Sequence, residues 1–212
     1  WRGAVYSGES VREVVDGIAD RGVLGRCDAV LSGYVGGADI GSAILHAVAS
    51  VRRVNPQALY CCDPVIGDVG RGVFVRPGIE EFLRDQALAA ADILTPNRFE
   101  LERLTGLECT TLEAAKHAVL RLRSAMRVDG PACVLVTSLD VAETPEDAID
   151  MLTFEGGAFH RLRTPRLPLD INGAGDAIAA LFLFHRMKTG SAVAALEAAG
   201  SSIYGLLKRT AD

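Results

Sequence analysis

The sequence predicts an α/β fold: a mostly parallel central sheet with helices on both faces and one hairpin near the C-terminal part. Three observations predict it. Short apolar runs alternate with segments of helical period along most of the chain. Each short run ends at a glycine, an aspartate or a hydroxyl residue. Two late β-type runs are separated only by Glu155-Gly156-Gly157, a hairpin signal. Strand–helix alternation of this kind builds a parallel sheet covered on both sides.

Taken in order, Ala29 to Ser32 is a short apolar run that stops at Gly33. Asp39 to Val54 then places Ile40, Ala43, Ile44, Ala47, Val48 and Val51 on one helical face. Leu59 to Cys62 is the next run and ends at Asp63. Ile79 to Leu88 reads as a helix, Asp92 to Leu94 as a strand, and Asn97 to Leu104 as a helix closed by Gly106. Leu112 to Met126 is amphipathic, and Ala132 to Thr137 is β-branched. Met151 to Phe154 and Ala158 to Leu162 form the hairpin. Two helices, from about Gly175 to Lys188 and from Ser191 to Leu207, close the chain around Gly190.

The 212 residues suit a single domain with one substantial core. A net charge of −5, with 49% hydrophobic and 23% charged residues, argues against a sequence-independent grip on nucleic acid. The longest apolar run, Ala177 to Phe184, is too short to span a bilayer, so no membrane partner is expected. Five cysteines without C-x-x-C spacing read as buried thiols of a reduced compartment, the cytoplasm. The adjacent pair Cys61 and Cys62 should point to opposite faces of a strand. His46, His117, His160 and His185 show no ligand spacing.

In such sheets, ligands bind beyond the carboxyl ends of the strands, and four polar clusters fall there. Asn172-Gly173-Ala174-Gly175-Asp176 opens an apolar helix. Its small residues let the backbone approach a ligand, and its amides sit at a helix N-terminus that favours an anion. A carboxylate at Asp176 suits such a place only if it faces a hydroxyl whose proton it accepts. The plain alternative is a glycine turn with Asp176 as a first-turn residue. Asp63-Pro64-Val65-Ile66-Gly67-Asp68 carries two carboxylates across a turn, which either converge on hydrated Mg²⁺ or bond turn amides. In Thr95-Pro96-Asn97-Arg98-Phe99-Glu100, Thr95 can cap and Pro96 suits a first helical position. Asn97 and Glu100 share a helix face and either hold a metal-bound water or form a capping arrangement. Thr137-Ser138 adds two hydroxyls after the fourth strand.

In this order, these residues resemble the ribokinase-like vitamin kinases, whose fold is Rossmann-like, and within them the pyridoxal kinases. Ser32-Gly33-Tyr34, Cys62 to Asp68, Asp92 to Asn97 with Phe99-Glu100, and Val136 to Ser138 carry the resemblance. It implies ATP-dependent phosphorylation of the 5'-hydroxymethyl group of pyridoxal. Asp176 would be the base, and the amides of Gly173, Ala174 and Gly175 the anion hole. Asp63, Asp68 and Glu100 would hold Mg²⁺ directly or through water. Thr95 and Thr137 would lie near a monovalent cation (K⁺ or Na⁺) or the phosphates, and Asn97 and Ser138 would touch the nucleotide. Tyr34 would lie near the substrate ring, and Arg161 to Thr164, with Arg163 and Thr164 as contacts, would flank the adenine. A homodimer is implied.

Two departures stand out. Ala174 replaces a threonine common in the family. The chain begins at Trp1, so about one βαβ unit of the family's N-terminal portion is expected to lie upstream. The rival readings are a hydroxymethylpyrimidine kinase or another small-molecule kinase of the superfamily, and a non-catalytic nucleotide-binding domain on the same fold. The first group often has cysteine at the position of Asp176; the second has little use for Asp63, Asp68 and Asp176 together. A nicotinamide dehydrogenase is disfavoured because no acidic strand end follows the late glycine motif.

Overall fold

The structure is a computed structural model that describes residues 6–169 and 172–211. Its main sheet has six strands: β1 (Ala29–Ser32), β2 (Leu59–Cys62), β5 (Ile93–Leu94), β6 (Cys133–Leu139), β7 (Ala148–Glu155) and β8 (Ala158–Pro165), in that spatial order. Neighbours from β1 to β6 run parallel; β6, β7 and β8 are antiparallel. A second, two-stranded sheet pairs β3 (Gly67–Asp68) with β4 (Gly72–Val73). The sequence predicts a turn in this segment, because two-residue strands are too short to show a period.

Helices α1 (Gly8–Ala19) and α2 (Ala38–Val54) flank β1 in the chain. α3 (Ile79–Phe82) continues through a π-wound stretch, Leu83–Ala87, into α4 (Leu88–Ala90). α5 (Arg98–Thr105) and α6 (Leu112–Ser124) lie between β5 and β6, and α7 (Ala174–Thr189) and α8 (Ala192–Ala211) end the chain. Gly106 and Gly190 close α5 and α7 in the left-handed region, at φ 70° and 69°, as C-terminal glycines do.

The two-residue period of the strands divides the core. Cys62, Leu94, Val134 and Val136 face one side with residues of the α3–α6 layer, including Phe82, Leu101, Val119 and Leu122. Cys61, Ile93, Cys133 and Leu135 face the other with Ile178, Phe182, Leu196 and Ala199 of α7 and α8. Cys61 and Cys62 therefore do point to opposite faces, and all five cysteines are free thiols. With both faces covered, the parallel strands carry continuous rather than alternating hydrophobicity.

The N-terminal ends of the strands are pinned by Asp92, which is fully buried. Its carboxylate accepts from the Tyr60 N–H (2.8 Å) and pairs with the Arg52 and Arg127 guanidinium groups. β8 forms one edge of the sheet and carries Arg161 and Arg163, charges that discourage further pairing. β1 is the other edge among the described residues, with Leu31 41% exposed. No helix of the described residues is long and apolar enough to cross a membrane.

The β3–β4 hairpin rests on a close approach at Gly67. A Cβ there would fall 2.3 Å from the Gly72 carbonyl oxygen and 2.7 Å from the Phe99 ring. Gly67→Ala must therefore displace backbone, not merely a side-chain tip. Overpacking of this kind costs about 1–3 kcal/mol. Thermal unfolding should register that loss, whereas an unchanged melting temperature would show that the hairpin is free to move aside.

Candidate functional site

The carboxyl ends of β1, β2, β5 and β6 bring three of the four polar clusters to one end of the sheet, and the start of α7 closes on them. β2 hands over to Asp63, whose N–H donates to the Ser32 carbonyl at 2.8 Å. Its side chain is buried and accepts from the Thr95 hydroxyl at 2.9 Å. Burial pushes the Asp63 carboxyl up to about 6, the Thr95 bond pulls it back, and the charge of Asp176 pushes it further up. Asp63 and Asp176, 113 positions apart in the chain, therefore share one field.

Thr95 does not cap the helix that follows. The N-cap is Asn97, two residues after Thr95, so the helix proper starts at Arg98, one residue later than the predicted start at Asn97, and Thr95 turns inward to Asp63 instead. Asn97 and Glu100 form a complete capping box. The Asn97 Oδ1 accepts from the Glu100 N–H, and Glu100 Oε2 accepts from the Asn97 N–H, both at 2.9 Å. The same two side chains also hold the hairpin: Asn97 Nδ2 donates to the Gly67 carbonyl (2.9 Å), and the Ile66 N–H donates to Glu100 Oε1 (3.0 Å). Burial pushes the Glu100 carboxyl up to about 8; the amides of Asn97 and Ile66 pull it down, and the charge of Asp63 raises it. The capping arrangement and a polar cluster beside Asp63 are thus one structure.

Asp68 lies in β3, where its Oδ1 accepts from the Val69 N–H at 2.7 Å. Among the described residues, no three His, Cys, Asp or Glu side chains converge as a ready-made metal cage. Thr137 and Ser138 fall within β6, which runs on to Leu139 and breaks register between Val136 and Leu139. The Thr137 N–H donates to the Pro96 carbonyl at 2.9 Å, so the backbone of this strand end runs beside the Thr95–Asn97 segment.

Gly173 caps α7 with φ 92° and offers no side-chain acceptor, which leaves the first-turn amides of Ala174, Gly175 and Asp176 without a side-chain cap. Asp176 is exposed there. The loop after β1 passes over it: a Cβ on Gly33 would lie 3.1 Å from Asp176 Oδ1. Tyr34, next in the chain, is 57% exposed at the same mouth.

Arg163 and Thr164 lie on β8. The Arg163 guanidinium donates to both oxygens of Asp150 (2.7 and 2.8 Å) and to the Glu143 carbonyl. Asp150 is fully buried, and the charges of Arg163 and Arg161 and the Thr144 hydroxyl hold its carboxyl below the usual range against burial. Thr164 pairs in register with Ile149.

Two features escaped the sequence reading. A hollow of about 160 Å³ opens beside the anion turn, walled by Ala177 of α7 and by Ile203, Leu206, Leu207 and Thr210 of α8; its signal was the helical spacing of the last four. Arg71, at the tip of the hairpin, donates from both terminal nitrogens to Asn172 Oδ1 at 3.2 and 3.1 Å. Its only sequence signal was a cation flanked by Gly70 and Gly72.

A family model described as phosphomethylpyrimidine kinase matches residues 11–212. The chain is 64% identical over its whole length to a pyridoxal kinase, PdxY, of Granulibacter bethesdensis, and spans 74% of that protein. It is 50% identical over 212 residues to the PdxY pyridoxal kinase of Deinococcus radiodurans, of which it spans 71%. Among solved structures, a pyridoxal kinase of Leishmania donovani in complex with ADP and pyridoxamine superposes with a TM-score of 0.87 at 25% identity. The match covers 100% of this chain and 74% of the other.

Proposed function

This chain belongs to the pyridoxal kinase family, and we propose that it phosphorylates the 5'-hydroxymethyl group of pyridoxal from ATP, with Asp176 as the base. It is a phosphotransferase acting on an alcohol. The observation that carries the residue assignment is Asp176 itself: an exposed carboxylate in the first turn of α7, beside uncapped amides and within the field of Asp63.

Asp176 removes the hydroxymethyl proton as the new oxygen–phosphorus bond forms and the bond to the ADP oxygen breaks. The amides of Ala174 and Gly175, with Gly173 shaping the turn, face the phosphoryl oxygens; charge neutralisation and positioning supply most of the rate in such transfers. Tyr34 lies where it can border the pyridine ring. Asn97 and Ser138 lie on the phosphate side. The adenine of the nucleotide fits the apolar hollow between α7 and α8 better than the Arg161–Thr164 segment, because Arg163 is already committed to Asp150.

Asp63 and Glu100 are buried carboxylates, each pushed up by burial, with the charge of Asp63 pushing Glu100 further up, and such a pair fits a hydrated divalent cation. Because no three carboxylates converge among the described residues, the fit is to Mg²⁺ arriving with the nucleotide and keeping its waters, not to a closed cage. Asp63 and Glu100 would hold it through water, with Asp68 beside them; a monovalent cation would lie near Thr95 and Thr137. A divalent cation held there would supply charge neutralisation for the nucleotide phosphates. A homodimer belongs to the same reading, favoured by Val14 and Ile18 standing exposed on α1.

The specificity is tested by competing pyridoxal, pyridoxine, pyridoxamine and hydroxymethylpyrimidine at equal concentration in one ATP-dependent reaction. Phosphorylated B6 vitamers should dominate the products. Preferential phosphorylation of hydroxymethylpyrimidine would assign the chain to the rival activity.

A further inference from the structure

The carboxylates Asp63, Asp68, Glu100 and Asp176 make this end of the sheet acidic, yet the proposed donor is a polyanion. A cationic side chain at the anion turn would add to what the turn amides and a metal ion supply. Several arginines of this molecule are neutralised: Arg52 by Asp92, Arg103 by Glu80, Arg166 by Asp140 and Arg186 by Glu155. Arg71 is held differently. Both of its terminal nitrogens donate to a single neutral acceptor, the side-chain oxygen of Asn172, which immediately precedes the anion turn. The guanidinium also lies over the Phe74 ring, 5.7 Å from its centroid, an arrangement that steadies a cation without neutralising it.

We propose that Arg71 is a phosphate-contacting residue of the kinase, parked on Asn172 and released to the γ-phosphate of ATP. The inference rests on the kinase reading. An amide oxygen that accepts two N–H groups of one guanidinium occupies the place of a phosphate oxygen, because the donor fork suits both. A phosphate carries charge that the amide lacks, and among the described residues Arg71 has no ion pair to break before it leaves Asn172. The hairpin fixes the tip from which Arg71 reaches. Gly67 is tied to Asn97 and Ile66 to Glu100, so the element that borders the acidic cluster at one end presents Arg71 to the anion turn at the other. No bond is made or broken at Arg71; its contribution is charge and orientation.

The test compares the parent chain with Arg71→Ala and Arg71→Lys by equilibrium binding of β,γ-imido-ATP and of ADP, and by steady-state kinetics with pyridoxal. A lost hydrogen bond to a charged group is worth about tenfold to a hundredfold. Arg71→Ala should weaken the triphosphate analogue by that factor while changing ADP affinity far less, and should lower kcat/KM for ATP in parallel. Arg71→Lys, or guanidinium ions added to Arg71→Ala, should restore part of the loss. Equal binding of the analogue by parent and Arg71→Ala overturns the inference. So does an equal loss for ADP and the analogue with no rescue, which would mark Arg71 as a brace for the hairpin. The binding arm stands apart from catalysis: if the parent fails to phosphorylate pyridoxal, the kinase reading fails, and the triphosphate preference still decides the role of Arg71.

Discussion

Asp176→Asn should lower turnover on pyridoxal by a factor on the order of 10² to 10⁴, the range over which a positioned general base acts, while ATP affinity stays near that of the parent. The substitution is nearly isosteric and the side chain is exposed, so no core packing is lost and the melting temperature should hardly move. The turn amides are untouched, because Gly173 caps α7 without any side-chain bond. What disappears is the proton acceptor, together with a negative charge that raises Asp63. Turnover and calorimetric nucleotide binding, measured on the same preparation, separate the two functions. Near-normal turnover would remove Asp176 from the chemistry. A parallel collapse of ATP affinity would instead make it part of the nucleotide site.

Asp63→Asn should move stability and activity in opposite directions. Asparagine still offers an oxygen to the Thr95 hydroxyl, so the local bond survives while the buried charge goes. The sign follows from the raised pKa. Unfolded, Asp63 titrates near its ordinary 3.8; folded, it titrates at about 6. The folded state therefore binds more protons between these values, and its advantage, full below 3.8, is lost as pH rises through 6. At neutral pH the penalty is about 1–3 kcal/mol. The ligand-free Asp63→Asn chain should thus melt higher than the parent at pH 7 and close to it at pH 4. Its turnover should be at least about tenfold lower, partly recovered by excess Mg²⁺, because the charge that destabilises the fold is the one proposed to face the cation–nucleotide complex. A melting difference independent of pH would mean that Asp63 is not held at a raised pKa. Overlaid Mg²⁺ titration curves would mean that its carboxylate does not serve the metal.

The parts of this fold that follow a regular period could be read from the chain. Cys61 and Cys62 divide the core as alternation requires, and the hairpin turn at Gly156 lies where the glycine pair put it. The hairpin strands run longer than their apolar centres, because main-chain pairing from Ala148 to Glu155 continues past the residues that show a pattern. The β3–β4 hairpin had no period to read; Ile66 and Gly67 are held by Glu100 and Asn97, which lie 34 and 30 positions further along the chain. The same holds within the site. Asp63, Asn97, Glu100 and Asp176 announce themselves by chemistry at strand ends and a helix start. Which groups they bond is a matter of distance in space: Thr95 with Asp63 instead of the helix end, Arg163 with buried Asp150. Arg71 shows the limit most plainly, since its partner Asn172 lies 101 positions away.

The central claim is that the cleft between β2 and α7 passes a phosphoryl group from ATP to a hydroxymethyl oxygen and not to water. The most direct measurement is the ratio of pyridoxal 5'-phosphate formed to ADP released, followed in one reaction with saturating pyridoxal and Mg²⁺. A base that faces the substrate hydroxyl gives a ratio close to one, and ADP release that depends on pyridoxal. ADP released without pyridoxal 5'-phosphate, or at the same rate when pyridoxal is left out, would contradict the account.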